Sequence, residues 1–320
     1  MSLPKPSSTA SNKVLVLFGP TACGKTGLLD SMFTGQQALA HAVVVSADSV
    51  QVYRGLNIGS AKPSAALLAR LPHKLIDLIE PDQPFSVGDF CRLANEACAD
   101  IHANGMLPIV SGGTAYYLRA FLCGSPAAPP SDALVRKQLQ VELREQGPDA
   151  LRAQLAAVDP VSAARIQPAD LYRISRALEV YRCSGMPLSS FEKPVAVRSD
   201  LDLLCIAIDR PRPQLYERID ARVDEMLSQG LEDEVQALVD AGWSSTDPGM
   251  RAIGYAEFLE ALDHGRLPTG SARESVIERI KMNTRRYAKR QLTFMRSLPG
   301  VRWFQADDQT GVHEAIRAWL

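Results

Sequence analysis

Eight consecutive residues, Gly19-Pro20-Thr21-Ala22-Cys23-Gly24-Lys25-Thr26, have the spacing G-x-x-x-x-G-K-[ST] of a loop built to hold phosphate. The glycines let backbone N–H groups turn towards phosphate oxygens, Lys25 neutralises charge, the Thr26 hydroxyl is a Mg2+ ligand, and a following helix adds positive potential. The motif establishes a polyphosphate and leaves open what carries it. Asp48 follows the run Val43-Val44-Val45-Ser46-Ala47, at the sheet edge where open α/β folds bind ligands. A carboxylate there coordinates Mg2+ through water, accepts a proton as a general base, or simply caps a turn. A third cluster is cationic: Arg279, Lys281, Arg285, Arg286, Lys289, Arg290 and Arg296 occur with no acidic residue between them. Such a stripe either solvates a helix face or grips nucleic-acid phosphates. Tyr287 and Phe294 within it could stack on bases, with a core position favoured for Phe294.

These residues need a frame. Short apolar runs at Val14 to Gly19, Val43 to Asp48, Leu75 to Ile79, Leu107 to Gly112 and Leu203 to Asp209 read as buried parallel strands separated by helices. The expected fold is an α/β, P-loop NTPase-like parallel sheet flanked by helices, with an inserted all-helical domain. Residues 1–12 read as a tail, 13–127 as the first part of the core, 128–196 as the insertion, and 197–320 as the return to the core with C-terminal helices. Leu134, Leu139, Leu143, Leu151, Leu155 and Val158 give the insertion its helical spacing, with breaks at Gly147-Pro148 and Asp159-Pro160. From Pro213 the pattern is again helical, through Leu215, Ile219, Val223, Leu227 and Leu231. The segment from Gln51 to Pro63, polar and punctuated by glycine, reads as an active-site loop.

Composition narrows the class. Hydrophobic residues at 46% and charged residues at 22% fit a globular enzyme. A net charge of −1 argues against nucleic acid only if charge is spread evenly, which the stripe contradicts. No apolar run approaches the roughly 20 residues needed to cross a bilayer, and the start lacks the apolar segment of a signal peptide. A cytoplasmic protein without membrane association is expected. The six cysteines form no CxxC pair and no Cys/His cluster, so neither disulfides nor zinc are indicated.

In order, Gly19 to Thr26, Asp48-Ser49-Val50-Gln51, Ile58 to Pro63, Pro72 to Asp77, Gly112-Gly113-Thr114-Ala115-Tyr116-Tyr117, Asp170 to Val180, Arg251 to Tyr255 and Thr284 to Leu292 resemble the signature of the bacterial tRNA dimethylallyltransferases, the IPP transferase family, over nearly the whole chain. The resemblance implies transfer of a dimethylallyl group from dimethylallyl diphosphate to N6 of the adenosine at tRNA position 37, beside the anticodon. It implies that Gly19, Pro20, Thr21, Ala22, Cys23, Gly24, Lys25 and Thr26 hold the diphosphate, with Mg2+ on Thr26. Asp48 then resembles the general base, and Thr114 and Arg222 match family catalytic positions. Ser49, Val50, Gln51 and Thr114 would contact the extruded base. Arg136, Tyr172, Arg173, Ile174, Ser175, Arg176, Arg251, Ala252, Ile253, Gly254, Tyr255 and Ala256 match tRNA-contacting positions, and Arg285, Arg286, Lys289 and Arg290 of the stripe join them. The partners implied are the tRNA anticodon stem-loop and the diphosphate, with a monomer expected. The chain departs from the family pattern at Lys74 (usually His), Ser60 (Thr), Ala169 (Asn), Tyr172 (Gln) and Phe294 (Trp).

Three other readings stand beside this one: a P-loop kinase for a small molecule or nucleotide, an adenylate isopentenyltransferase using free nucleotide, and a non-catalytic RNA-binding module. Cys23, near Lys25 and a helix start, is either a reactive thiol protected by diphosphate or an inert one.

Overall fold

Burial on both faces turns the apolar runs into a parallel sheet. The computed structural model describes residues 12–35, 41–124, 128–191 and 194–320; most of the expected tail and the insertion-boundary residues 125–127 and Lys193 lie outside these. The strands are β1 (Lys13–Phe18), β2 (Ala42–Ala47), β3 (His73–Lys74), β4 (Leu107–Gly112), β5 (Asp202–Asp209) and β6 (Val301–Gln305). They pair in the order β3-β2-β4-β1-β5-β6, all parallel. Val14 through Phe18 are 0% exposed, as a central strand covered on both faces requires. The connections diverge around β1, to β2 and β4 on one side and β5 and β6 on the other, so the C-terminal ends of β1, β2 and β4 form the crevice in which such sheets bind ligands.

The helices are α1 (Lys25–Gly35), α2 (Ala65–Arg70), α3 (Val87–Ala103), α4 (Ala115–Cys123), α5 (Ala133–Val158), α6 (Pro160–Arg165), α7 (Leu171–Ser184), α8 (Arg212–Ser228), α9 (Leu231–Asp240), α10 (Ala256–Leu259), α11 (Gly270–Met295) and α12 (Gln309–Trp319). Local chemistry sets their ends. Ser86 and Asp89 form a reciprocal capping box on α3, and Gly185 closes α7 in the left-handed conformation.

Of two strand findings, the first corrects an expectation and the second is a strand that was not expected. The run Leu75 to Ile79 is not a strand: pairing stops at Lys74, and Leu75 and Asp77 have φ of +64° and +53°. Asp77 instead meets the Lys62 ammonium at 2.5 Å, tying the segment to the polar loop before it. The second is β6, which carries no apolar run; it is an edge strand with half-exposed residues, so it lacks the continuous hydrophobicity that marks buried strands.

The chain divides into two compact units, one being Cys123–Ala196 and the other the chain on either side of it. In the smaller unit α5 is interrupted at Gly147 (φ +82°) before Pro148, and Asp159 caps α6 through Ser162 N–H while accepting Ser189 N–H at 2.9 Å. Leu139, Leu151, Leu155, Ile166, Ile174 and Leu178 form its core, each buried aliphatic side chain contributing about 1.5–3 kcal/mol. Leu134, assigned by spacing to that face, is instead 74% exposed.

Candidate active site

The phosphate loop connects β1 to α1, and its shape is enforced from outside. A Cβ on Gly19 would stand 2.4 Å from the Ile208 carbonyl of β5, so only glycine lets the chain leave β1 at that point. Gly24 has φ of +110° and Ala22 of +61°, the alternation that folds a backbone into an anion-binding concavity. Arg218 Nε donates to Ala22 O at 2.9 Å and Arg210 Nε to Cys23 O at 3.4 Å. Lys25 Nζ donates to Gly19 O and Pro20 O at 2.8 and 2.9 Å, keeping its ammonium over the loop. The first N–H groups of α1 have no intrahelical acceptors, which makes this helix start a phosphate site.

Across from the loop stands Asp48, immediately after β2. Its Oδ1 accepts the N–H groups of Val50 (2.9 Å) and Gln51 (3.3 Å). Oδ2 has no hydrogen-bond partner among the described residues, so one oxygen is anchored and the other is left for chemistry. Loop and carboxylate line one cavity of about 430 Å³, together with Thr21, Ala22, Lys25, Thr26, Arg222 and Tyr287. Arg222, from α8, has no ion-pair partner among the described residues, and burial draws its pKa down against the opposing pull of the Asp48 charge. An arginine held this way favours an incoming anion. Burial, reinforced by Asp48, pushes the Tyr287 phenol up to about 12, so it stays a neutral hydrogen-bonding group. His73 also lines the cavity; burial holds its pKa below the ordinary value. Its Nδ1 lies 2.7 Å from Leu71 O, so the proton sits on Nδ1 and the lone pair on Nε2.

The residues fit a Mg2+ ion carried on substrate phosphate. Thr26 and Asp48 supply a hydroxyl and one carboxylate to the same cavity, and among the described residues no group of three or more His, Cys, Asp or Glu could hold a metal by itself. One or two protein oxygens completed by phosphate and water is the usual Mg2+ arrangement.

A model of the IPP transferase family, described as IPP transferase, matches residues 51–298. The chain is 42% identical to tRNA dimethylallyltransferase 1 of Trichlorobacter lovleyi, covering 96% of this chain and 99% of that one. It is also 42% identical to the tRNA dimethylallyltransferase of Geobacillus kaustophilus, over 93% and 92%. The chain belongs to the IPP transferase family. Among solved structures, the tRNA isopentenylpyrophosphate transferase of Bacillus halodurans aligns with a TM-score of 0.67 and 34% identity, covering 97% of this chain and 98% of that one. A eukaryotic dimethylallyltransferase acting on tRNA aligns with a TM-score of 0.78 and 27% identity, over 96% and 78%. This agrees with the α/β, P-loop-like fold expected from the strand and motif pattern.

Not every residue singled out in this IPP transferase reaches the cavity. Ser49, Val50, Gln51, Arg251, Ala252, Ile253 and Gly254 line it beside the loop and Asp48. Gln51, however, commits its amide internally, accepting Ser46 Oγ–H at 2.9 Å and donating to Ala61 O at 3.2 Å. Thr114 does not line the cavity; its Oγ1 accepts Ser49 N–H at 2.9 Å and donates to Ser49 Oγ at 3.2 Å. It holds the segment carrying Asp48. Tyr255 is 0% exposed and donates to Glu234 Oε1 at 2.6 Å, so its side chain belongs to the core and not to an RNA surface. The same correction applies to Ile174, which is 0% exposed in the smaller unit. Ala256, outside the cavity, opens α10. Cys23 is fully buried with Lys25 Nζ 3.8 Å from its sulfur; a shielded thiol favours the inert reading.

The cationic stripe divides. Arg279, Lys281, Arg285 and Arg296 pair with Glu260, Asp224, Asp220 and Asp209, so Arg285 is anchored to α8 and not free for RNA. Arg286, Lys289 and Arg290 are exposed, have no ion-pair partner among the described residues, and line a shallow groove with Thr293, Phe294 and Ser297. Phe294 is half-buried there, its ring centroid 4.6 Å from that of Tyr116, a surface aromatic pair in place of the expected core position. Arg290 borders both groove and cavity. In the smaller unit Arg136 and Arg176 converge on Glu179 at 3.3 and 2.8 Å, Arg173 pairs with Asp170 at 2.9 Å, and Tyr172 is 73% exposed. Ser175 is half-buried between them.

Sequence reasoning missed two residues that shape the site. Glu234 accepts the N–H groups of Ile58 at 2.8 Å, Asn57 at 3.0 Å and Gly59 at 3.2 Å along with the Tyr255 hydroxyl. Gln291 reaches from α11 to Thr21 of the phosphate loop and to Gly113 just after β4. Each looks like an ordinary helical polar residue until distant partners are in place.

Proposed function

We propose that this IPP transferase moves a dimethylallyl group from dimethylallyl diphosphate to N6 of the adenosine at tRNA position 37, releasing pyrophosphate. The observation that carries the reading is the shared cavity: a phosphate loop, an Arg222 with no ion-pair partner among the described residues and a half-anchored Asp48 face one space, and that space adjoins a cationic, aromatic groove through Arg290. The names of the relatives support the same chemistry and substrate.

The adenine amine is a poor nucleophile, so the rate must come from alignment, proton removal and stabilisation of the leaving charge. The loop amides, Lys25 and Arg222 would hold the diphosphate and absorb charge as the allylic carbon–oxygen bond breaks. Thr26 would hold Mg2+, which when bound would supply further charge neutralisation. N6 forms the new bond to that carbon, and its proton passes to Asp48 Oδ2, with Oδ1 fixed by Val50 and Gln51. A base reaches such a cavity only after leaving its stack, which costs less from an anticodon loop than from a duplex. Arg286, Lys289 and Arg290 would carry the strand, with Tyr116 and Phe294 as stacking surfaces.

Incubation with radiolabelled dimethylallyl diphosphate, Mg2+ and unmodified tRNA, followed by nucleoside analysis, tests the proposal. The expected product is N6-(dimethylallyl)adenosine. Transfer of phosphate from labelled ATP in place of prenyl transfer would replace this reading by the kinase.

A further inference from the structure

Gln291 is 3% exposed, and both ends of its amide are bound to main chain of different loops. Oε1 accepts Thr21 N–H of the phosphate loop at 3.0 Å. Nε2 donates to Gly113 O, beyond the end of β4, at 2.7 Å. The sequence around it makes room for this contact. A Cβ on Gly113 would lie 2.6 Å from Gln291 Nε2, while one on Gly112 would lie 2.1 Å from Ala47 O of β2. The paired glycines therefore have separate purposes: the first lets β4 approach β2, and the second admits the glutamine.

The next residue, Thr114, binds both the N–H and the hydroxyl of Ser49, which adjoins Asp48. A continuous series of contacts thus runs from the phosphate loop through Gln291 to the segment holding the carboxylate. Gln291 also follows Arg290, which borders cavity and groove, and lies one helical turn after Tyr287, which lines the cavity.

We infer that Gln291 is a positioning residue that sets the separation between the diphosphate loop and the Asp48 segment and holds both to α11. A side chain buried with both amide ends satisfied has one rotamer and little freedom, so it fixes the two loops relative to each other. Gln291 lines the cavity, but its amide is committed to Thr21 N–H and Gly113 O, so it acts through these two loops. The inference rests on the proposed prenyl transfer for its kinetic consequences, while its effect on the phosphate loop does not depend on that reaction.

Two variants test it. Gln291→Met keeps the chain length and removes both hydrogen bonds; kcat for prenyl transfer should fall by about ten- to a hundredfold, the loss expected when reacting groups are displaced by about 1 Å. Its Kd for tRNA should change by less than about twofold, because the groove cations are untouched. Gln291→Glu keeps the acceptor for Thr21 but sets a second oxygen against Gly113 O. Protonating that carboxyl restores a donor, so activity relative to wild type should rise as pH falls from 8 towards 6, and Gln291→Met should show no such recovery. Wild-type kcat in a folded Gln291→Met protein, or a Gln291→Glu ratio that is flat with pH, overturns the inference. Calorimetric titration with inorganic pyrophosphate separates it from the functional reading: weaker pyrophosphate binding in both variants is expected even if the wild type transfers no prenyl group, and unchanged binding together with an inactive wild type would sink both.

Discussion

The cations of the larger unit and those of the smaller one look alike as sequence and differ in what they face. Around Glu179, which is 1% exposed, Arg136 and Arg176 are used to neutralise a buried carboxylate. On α11 and α8, Arg286, Lys289, Arg290 and Arg222 have no carboxylate partner among the described residues and stand at the groove or the cavity. A positive side chain with an internal partner stabilises the fold; one left without a partner beside a concavity is available to an external anion. The distinction depends on acidic residues far away in sequence, such as Asp220 for Arg285.

The largest effect that would sharpen this contrast lies in the cavity. Asp48→Asn preserves the Oδ1 acceptor for Val50 and Gln51 but removes the base, so turnover should fall by at least about a hundredfold with tRNA binding nearly intact in a filter assay. Normal turnover would break the assignment. Arg222→Gln should weaken diphosphate binding by about tenfold or more, the value of a charge-assisted contact, measured as a rise in Kd for pyrophosphate. Arg286→Gln and Lys289→Gln should each weaken tRNA binding a few-fold and lower the salt dependence of log K by about one, whereas Arg285→Gln should leave that slope unchanged; equal slopes for all three would erase the division of the stripe.

The smallest effect is one of pH. Burial alone would raise the Glu179 pKa, but hydrogen bonds from Arg176 and Asp132 outweigh it and hold the carboxyl below its ordinary value. Glu142 is likewise depressed, chiefly by Arg182. A depressed carboxylate contributes stability that is complete above its unfolded pKa and is lost as pH falls through the folded one. Thermal unfolding should therefore move to lower temperature in acid, below about pH 4.5, with a shallower dependence in Glu179→Gln. Identical curves would remove the buried ion pairs from the account of the smaller unit.

Much of the site could be read from local chemistry because its parts are local. Eight residues encode the phosphate loop, and a strand followed by Asp48 encodes the carboxylate at the sheet edge. The break at Gly147-Pro148 is equally self-contained, since a glycine at positive φ before a proline ends a helix wherever it occurs. What stayed hidden is what depends on partners remote in sequence. Gln291 gains its meaning from Thr21, 270 residues away. Tyr255 falls within a motif that matches RNA-contacting positions, yet it is committed to Glu234. The Leu75 to Ile79 run shows the same limit for secondary structure: its apolar pattern allows a strand, and the contact between Lys62 and Asp77 accompanies a backbone that is not one.

The carboxylate of Glu234 gathers three successive amide hydrogens and a phenol onto two oxygens. That ties the stretch from Asn57 to Gly59, the last of which lines the cavity, to α9, and its deuterium uptake should be slow for an irregular segment. Any breathing that admits or releases a bulky nucleic acid must then hinge at some other place in the chain.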